Sequence, residues 1–167
     1  KWNYCHGLEL EAIYDVYRKT GDKKYYNYAL SYADTVINPD GTIKSYKLEE
    51  YNIDRLNSGK MLFPIYAETK DEKYRLAMSL LKSQMDTHPR ISNGGFWHKK
   101  IYPHQVWLDG LYMAGPFLAE YGATFNAPEL FDEVALQLTT AYEDLLDENT
   151  GLLYHGWDES RQQRWAD

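Results

Sequence analysis

Cysteine is nearly absent from this chain, Cys5 being its single copy. That excludes an internal disulfide framework, and it suits a reducing cytoplasm, which is the expected setting. Long apolar runs are missing too. None approaches the roughly 18 residues of a membrane-spanning helix, and no signal-peptide pattern is present, so no membrane partner is expected. Positive charge is in short supply: 18 Lys and Arg face 25 Asp and Glu, for a formal charge of −7. A general nucleic-acid binder needs a basic stripe to displace counterions, so that class is excluded. A local basic cluster still leaves room for an anionic substrate. GxSxG, P-loop and GxGxxG motifs do not occur, and the histidines lack HxH or HxxxH spacing. Neither a metal nor a cofactor is expected.

What the chain does have is aromatic residues and a repeat. Sixteen Tyr and five Trp in 167 residues can serve helix packing or sugar stacking equally well. At this length, with 44% hydrophobic residues, one domain can bury a sizeable core. Tyr17-Arg18-Lys19-Thr20-Gly21-Asp22-Lys23-Lys24-Tyr25 is echoed by Tyr66-Ala67-Glu68-Thr69-Lys70-Asp71-Glu72-Lys73-Tyr74, and more loosely from Tyr121 through Thr124 to Phe131. Counting back 12 residues from each opening tyrosine reaches Cys5, Asp54 and Asp109.

Each repeat predicts a helical hairpin. Leu8, Ala12 and Val16 lead into a turn at Thr20-Gly21-Asp22, where a glycine stop precedes an aspartate N-cap. Tyr25, Ala29, Tyr32, Ala33 and Val36 then form an i, i+3, i+4 stripe. The second hairpin pairs Met61–Tyr66 with Tyr74–Met85. The third pairs a helix from about Trp107 to Tyr121, broken or kinked near Gly115-Pro116, with one from about Leu130 to Leu146. The period exceeds that of TPR and ankyrin arrays, as hairpins with long connections require. In a closed ring of such hairpins, the outer-to-inner loops emerge on one face. Asp54 and Asp109 stand where those loops enter inner helices, so both are expected at one mouth. Three hairpins cannot close a ring of six. Because the chain also starts at Lys1 without Met, it is expected to be part of something longer, with open faces through which it could self-associate.

Asp109 lies in Trp107-Leu108-Asp109-Gly110-Leu111-Tyr112. Partial withdrawal from water there favours the neutral form a general acid needs. The plainer alternative is a cap or first-turn residue favoured by the helix dipole. Asp54 could face Asp109 across a cleft, or could simply pair with Arg55. His98 and His155 read as hydrogen-bonding residues, while Trp97 and Trp157 either stack on a sugar or close a loop. Cys5 reads as packing. Three functions stay open on these residues: an acid–base enzyme, an inverting glycosidase with Asp54 and Asp109 as separate acid and base, or a helical-repeat binding module.

Gly94-Gly95-Phe96-Trp97-His98-Lys99-Lys100-Ile101-Tyr102-Pro103 and Gln105-Val106-Trp107-Leu108-Asp109-Gly110-Leu111-Tyr112-Met113 resemble the unsaturated glucuronyl and rhamnogalacturonyl hydrolases, most closely glycoside hydrolase family 105. Leu152-Leu153-Tyr154-His155-Gly156-Trp157-Asp158 and Arg164-Trp165-Ala166-Asp167 are similar to later motifs of that family. The resemblance implies an all-α fold, an (α/α)6 barrel, with residues 1–167 as the N-terminal half of a single catalytic domain. It also implies a substrate: oligosaccharides ending in a Δ4,5-unsaturated uronic acid, such as galacturonate on rhamnose. By resemblance, Asp109 protonates C4 and then serves as base, and Asp54 is the second carboxylate. His155, His98, Lys99, Trp97 and Trp157 would contact the sugar, with Lys99 facing its carboxylate.

Overall fold

The computed structural model describes residues 1–165; Ala166 and Asp167, which end the last quoted motif, lie outside the described residues. Three helical hairpins follow one another. Helices α1 (Tyr4–Thr20) and α2 (Lys23–Val36) make the first. The second pairs an inner segment with α5 (Glu72–Asp86). That inner segment is not the single helix expected, because α3 (Asp54–Asn57) passes through a 3-10 turn (Ser58–Met61) into α4 (Leu62–Thr69). Helices α6 (Leu108–Phe125) and α7 (Glu129–Leu145) form the third.

The sequence repeat has a physical cause at the hairpin turns. Thr20 Oγ1 donates to the Val16 carbonyl and accepts from the Asp22 amide, and Asp22 then caps α2 by accepting from the Lys24 amide. Thr69, Asp71 and Lys73 make the same three bonds around α5. Between them sits a left-handed residue, Gly21 at φ 70° or Lys70 at φ 56°. Glycine adopts that conformation freely, whereas lysine takes on strain there. In the third hairpin Asn126 occupies the same conformation.

Helix α6 is continuous through Pro116, so the break expected there does not occur. A proline removes one intrahelical bond, and α6 packs against α7. The core lies between hairpins. Ala33, Val36, Tyr74, Ala77, Met78 and Leu81 of the outer helices meet Leu56, Leu62, Ile65 and Phe117 of the inner ones. Tyrosines serve packing with their hydroxyls satisfied: buried Tyr74 donates to Asp34, which Lys73 also holds.

The three outer-to-inner loops share one construction. Each closes with a β-bridge just beyond its outer helix: Ile37 with Ile43, Arg90 with Phe96, and Leu146 with Leu153. Further bonds knit the loops together across one end of the molecule. Lys99 bridges Asn52, the Ile53 amide donates to the His98 carbonyl, and the His98 amide donates to that of Gln105. Strand β1 (Gln105–Trp107) pairs antiparallel with β2 (Gly156–Asp158).

Candidate active site

This loop ladder delivers both aspartates to one place. Asp54 opens α3 and Asp109 lies in the first turn of α6, so each carboxylate sits by free helix amides that favour negative charge. Neither acid is the N-cap; Ile53 and Trp107 hold those positions. Oxygens of Asp54 and Asp109 and a nitrogen of His98 all lie within 4.8 Å of one another.

The two acids have unequal surroundings. Asp54 is buried: Lys99 Nζ lies 2.6 Å from its Oδ2, and His98 Nε2 lies 3.0 Å from its Oδ1. Burial pushes this carboxyl up, but the His98 and Lys99 contacts outweigh it and hold Asp54 below its usual value. Asp54 is therefore held ionised. Arg55 does not pair with it, bonding instead to the Trp2 carbonyl and reaching Glu50 at 3.5 Å. The Asp109 side chain is 38% exposed, with His155 Nε2 at 3.7 Å and His98 Nδ1 at 3.9 Å from its Oδ1.

His98 stands between the acids, 1% exposed, its ring stacked on Trp107 at 4.6 Å and 13°. Tyr102 stacks on Trp107 at 5.1 Å and 14°. Gly110 makes room for the imidazole, since a Cβ there would lie 3.1 Å from His98 Nδ1. The expected contact of His98 with sugar thus gives way, in this structure, to contact with the carboxylates.

The other expected residues divide. Lys99 joins Asp54, and exposed His155 reaches Asp109 while its carbonyl accepts the Leu108 amide at the start of α6. Trp157 lines a groove of about 600 Å³ together with Trp107, Tyr154, His155, Arg161 and Trp165. Trp97 packs on His104 at 4.7 Å and lines neither that groove nor the apolar one along α6.

Sequence reasoning missed the support beneath the acids. His88 Nε2 donates to the Trp97 carbonyl at 2.7 Å, and Gln84 Nε2 donates to the Asn52 carbonyl at 3.2 Å. Gln84 also lies 3.4 Å from His88 Nδ1 and accepts from Tyr46. These two side chains of the α5 end pin the residues just before His98 and two before Asp54. Burial pushes His88 down to about 4, so it stays neutral. The available signal was a polar pair at i, i+4 continuing the apolar stripe of Ala77, Leu81 and Met85.

Although the three close donors of Asp54, His98 and Asp109 meet a metal site's spacing, the imidazole is oriented against one. Its Nε2 edge addresses Asp54 and its Nδ1 edge Asp109, and lone pairs on separate edges cannot converge on one ion. The Lys99 ammonium already neutralises Asp54. This is a bridged acid pair.

Over residues 1–167 the chain matches Glycosyl Hydrolase Family 88. It is 26% identical over 168 residues to the unsaturated rhamnogalacturonyl hydrolase YesR of Bacillus subtilis (strain 168), covering 96% of this chain and 46% of that protein. A solved family 105 glycoside hydrolase of C. acetobutylicum ATCC 824 is 50% identical, with a TM-score of 0.96 over 100% of this chain and 46% of that one. A possible member of the GH105 family from Klebsiella pneumoniae subsp. pneumoniae MGH 78578 gives 0.79 at 26% identity, over 95% and 41%. The chain spans about half the length of these relatives, and its hairpins are of the (α/α)6 toroid type. With the match running from the first residue to the last, the chain belongs to glycosyl hydrolase family 88.

Proposed function

We propose that this chain is the N-terminal half of a single (α/α)6-barrel catalytic domain, and that the intact protein removes Δ4,5-unsaturated uronic acid from oligosaccharides. Unsaturated galacturonate linked to rhamnose is the favoured substrate, in keeping with the name of the Bacillus relative. An apolar groove of about 400 Å³ along α6 and α7 supports the half-barrel reading, since a further hairpin would cover it. A cytoplasmic setting, where lyase products would be consumed, fits the single cysteine.

The observation that carries the reaction is the asymmetry of the acid pair. Asp54 is buried and committed to Lys99 and His98, which leaves Asp109, part-exposed beside His155, as the carboxyl free to move a proton. Asp109 gives its proton to C4 of the C4=C5 double bond, and the ring oxygen shares the positive charge that develops at C5. Water attacks C5 and returns a proton to the Asp109 carboxylate. The hemiketal so formed opens and releases the aglycone. One carboxyl acts in both directions, as general acid–base catalysis allows. Lys99, 19% exposed, and His155 are placed to meet the uronate.

An inverting glycosidase needs its carboxyls about 6.5–9.5 Å apart, with water between them. Here the nearest oxygens lie within 4.8 Å and an imidazole takes the space. A retaining pair would fit the spacing better, yet its nucleophile must be free to attack, and Asp54 is buried with Lys99 Nζ 2.6 Å from its Oδ2 and the His98 ring against its Oδ1. The convergence of the acids likewise opposes a binding module that spreads its residues along a concave surface.

The test follows loss of the double bond's ultraviolet absorbance with unsaturated disaccharides. Asp109→Asn in the intact protein is expected to lower the rate by about 10²-fold or more. Wild-type rates from that variant, or equally fast cleavage of saturated glycosides, would overturn the reading.

A further inference from the structure

Three buried polar atoms of the site lack a hydrogen-bond partner, Asp54 Oδ1, His98 Nδ1 and Asp109 Oδ1, and the last two face each other. His98 Nδ1 and Asp109 Oδ1 are each shielded from solvent and lack a hydrogen-bond partner, and they stand 3.9 Å apart. Two unpartnered acceptors in a dry setting are costly, and one shared proton satisfies both. The other edge of the imidazole settles which atom brings that proton. Asp54 is ionised with Lys99 Nζ 2.6 Å from its Oδ2, and its unpartnered Oδ1 lies 3.0 Å from His98 Nε2, whose hydrogen is placed to serve it. A neutral imidazole with its hydrogen on Nε2 carries a lone pair on Nδ1. That lone pair points at Asp109.

We infer that His98 is a positioning residue that parks the catalytic proton on Asp109, its Nδ1 accepting a hydrogen bond from the protonated carboxyl between turnovers. This rests on the assignment of Asp109 as the acid. Atoms balance without a change at His98. The carboxyl hydrogen turns from Nδ1 to C4, the O–H bond breaks as the C4–H bond forms, and the hydrogen taken from water at C5 returns to Asp109. The imidazole keeps its Nε2 hydrogen throughout. A separation of 3.9 Å is loose for a hydrogen bond, as catalytic contacts often are before substrate tightens them.

The construction around the ring serves this role. Trp107 covers one face of the imidazole, Gly110 clears its Nδ1 edge, and the ladder bonds at the His98 amide and carbonyl hold the backbone. The groups facing Asp109 are Asp54 from α3, His98 and Lys99 from the 87–104 loop, exposed His155 from the loop before β2, and Tyr4 from α1. Among the two histidines near Asp109 Oδ1, His98 alone is sealed from solvent with an anion holding its far edge.

Glutamine places its amide nitrogen near the Nε2 position of histidine, so His98→Gln keeps a donor for Asp54 and removes the acceptor for Asp109. In the intact enzyme, the alkaline limb of the kcat/KM profile for unsaturated disaccharide hydration is expected to move down by about one pH unit, a loss of up to about tenfold on that limb that narrows as pH falls. A loss equal at all pH values, or no change in the profile, would overturn the proposal. The wild-type protein offers a second test that no folding defect can obscure: the ¹⁵N resonances of His98 are expected to show hydrogen on Nε2 and a bare Nδ1 at working pH. A doubly protonated ring, or hydrogen on Nδ1, would overturn it. The two assignments fail separately, because active Asp109→Asn refutes the acid whereas the wrong His98 tautomer refutes only the parked proton.

Discussion

Replacing His88 with Gln should make the stability of the intact protein less sensitive to acid while leaving its fold in place. His88 is 4% exposed, and burial is the main influence lowering it to about 4, with the Arg90 charge acting the same way and the Trp97 carbonyl opposing. Its partners are satisfied only by the neutral ring, with Nε2 donating to Trp97 and Nδ1 facing the Gln84 amide. Between the folded value of about 4 and the ordinary 6.5, the unfolded chain binds a proton that the folded chain refuses. Stability from this residue is thus complete above about pH 6.5 and is lost as pH falls toward 4. At about 1.4 kcal/mol per pH unit the full swing is about 3 kcal/mol. Glutamine keeps a donor near the Nε2 position, does not titrate, and forfeits the Gln84 contact for about 1 kcal/mol.

Denaturant unfolding of wild type and His88→Gln near pH 7 and near pH 4.5 reads this directly. At neutral pH the variant should be the weaker by about 1 kcal/mol, and near pH 4.5 the order should reverse, because most of the wild-type swing has been spent. Other carboxylates lose stability in the same window, but they do so in both proteins and cancel in the comparison. Parallel stability curves would refute the argument, since they would mean that His88 is charged in the fold or open to solvent.

Two other changes probe the site and the repeat. Gly110→Ala puts a methyl 3.1 Å from His98 Nδ1, where the ring has no room to yield between Trp107 and Asp54, so activity on unsaturated disaccharides should fall by about tenfold or more with far less effect on unfolding. Asp71→Ala removes the N-cap of α5 and should cost about 1 kcal/mol in denaturant titration without altering KM, since the turn lies at the end of the hairpin away from the acids.

The first two hairpins were legible because their turns repeat atom by atom, and a repeated set of hydrogen bonds needs repeated residues. Asp54 and Asp109 could be placed at one mouth for the same reason: a common register puts them at the same end of successive inner helices. The interrupted inner segment of the second hairpin was not legible. Met61, Leu62, Ile65 and Tyr66 keep helical spacing whether the turn before them is α or 3-10, and the difference lies in how α1 and α6 crowd residues 58–61. Nor could periodicity show that Pro116 is tolerated, because that depends on α7. The partner of Asp54 was equally hidden. Arg55 is its chain neighbour, yet neighbours on a helix point to different sides, and the cation that arrives is Lys99 from a loop 45 residues away.

That loop joins the fold to the chemistry. Residues 97–99 and 52–54 are held side by side by backbone bonds, and Gln84 and His88 grip both segments from below. A displacement of either segment would therefore move Asp54, His98 and Lys99 together, keeping Asp54 ionised while changing the distance from His98 to Asp109. Asp109 is fixed to the same frame from its other side, by α6, β1 and the His155 carbonyl, with the His98 amide bonded to Gln105 of β1. The 3.9 Å gap between His98 and Asp109 is thus a contact left unmade inside a bonded frame. Substrate can close such a gap, and this one lies where the proton must be held and released.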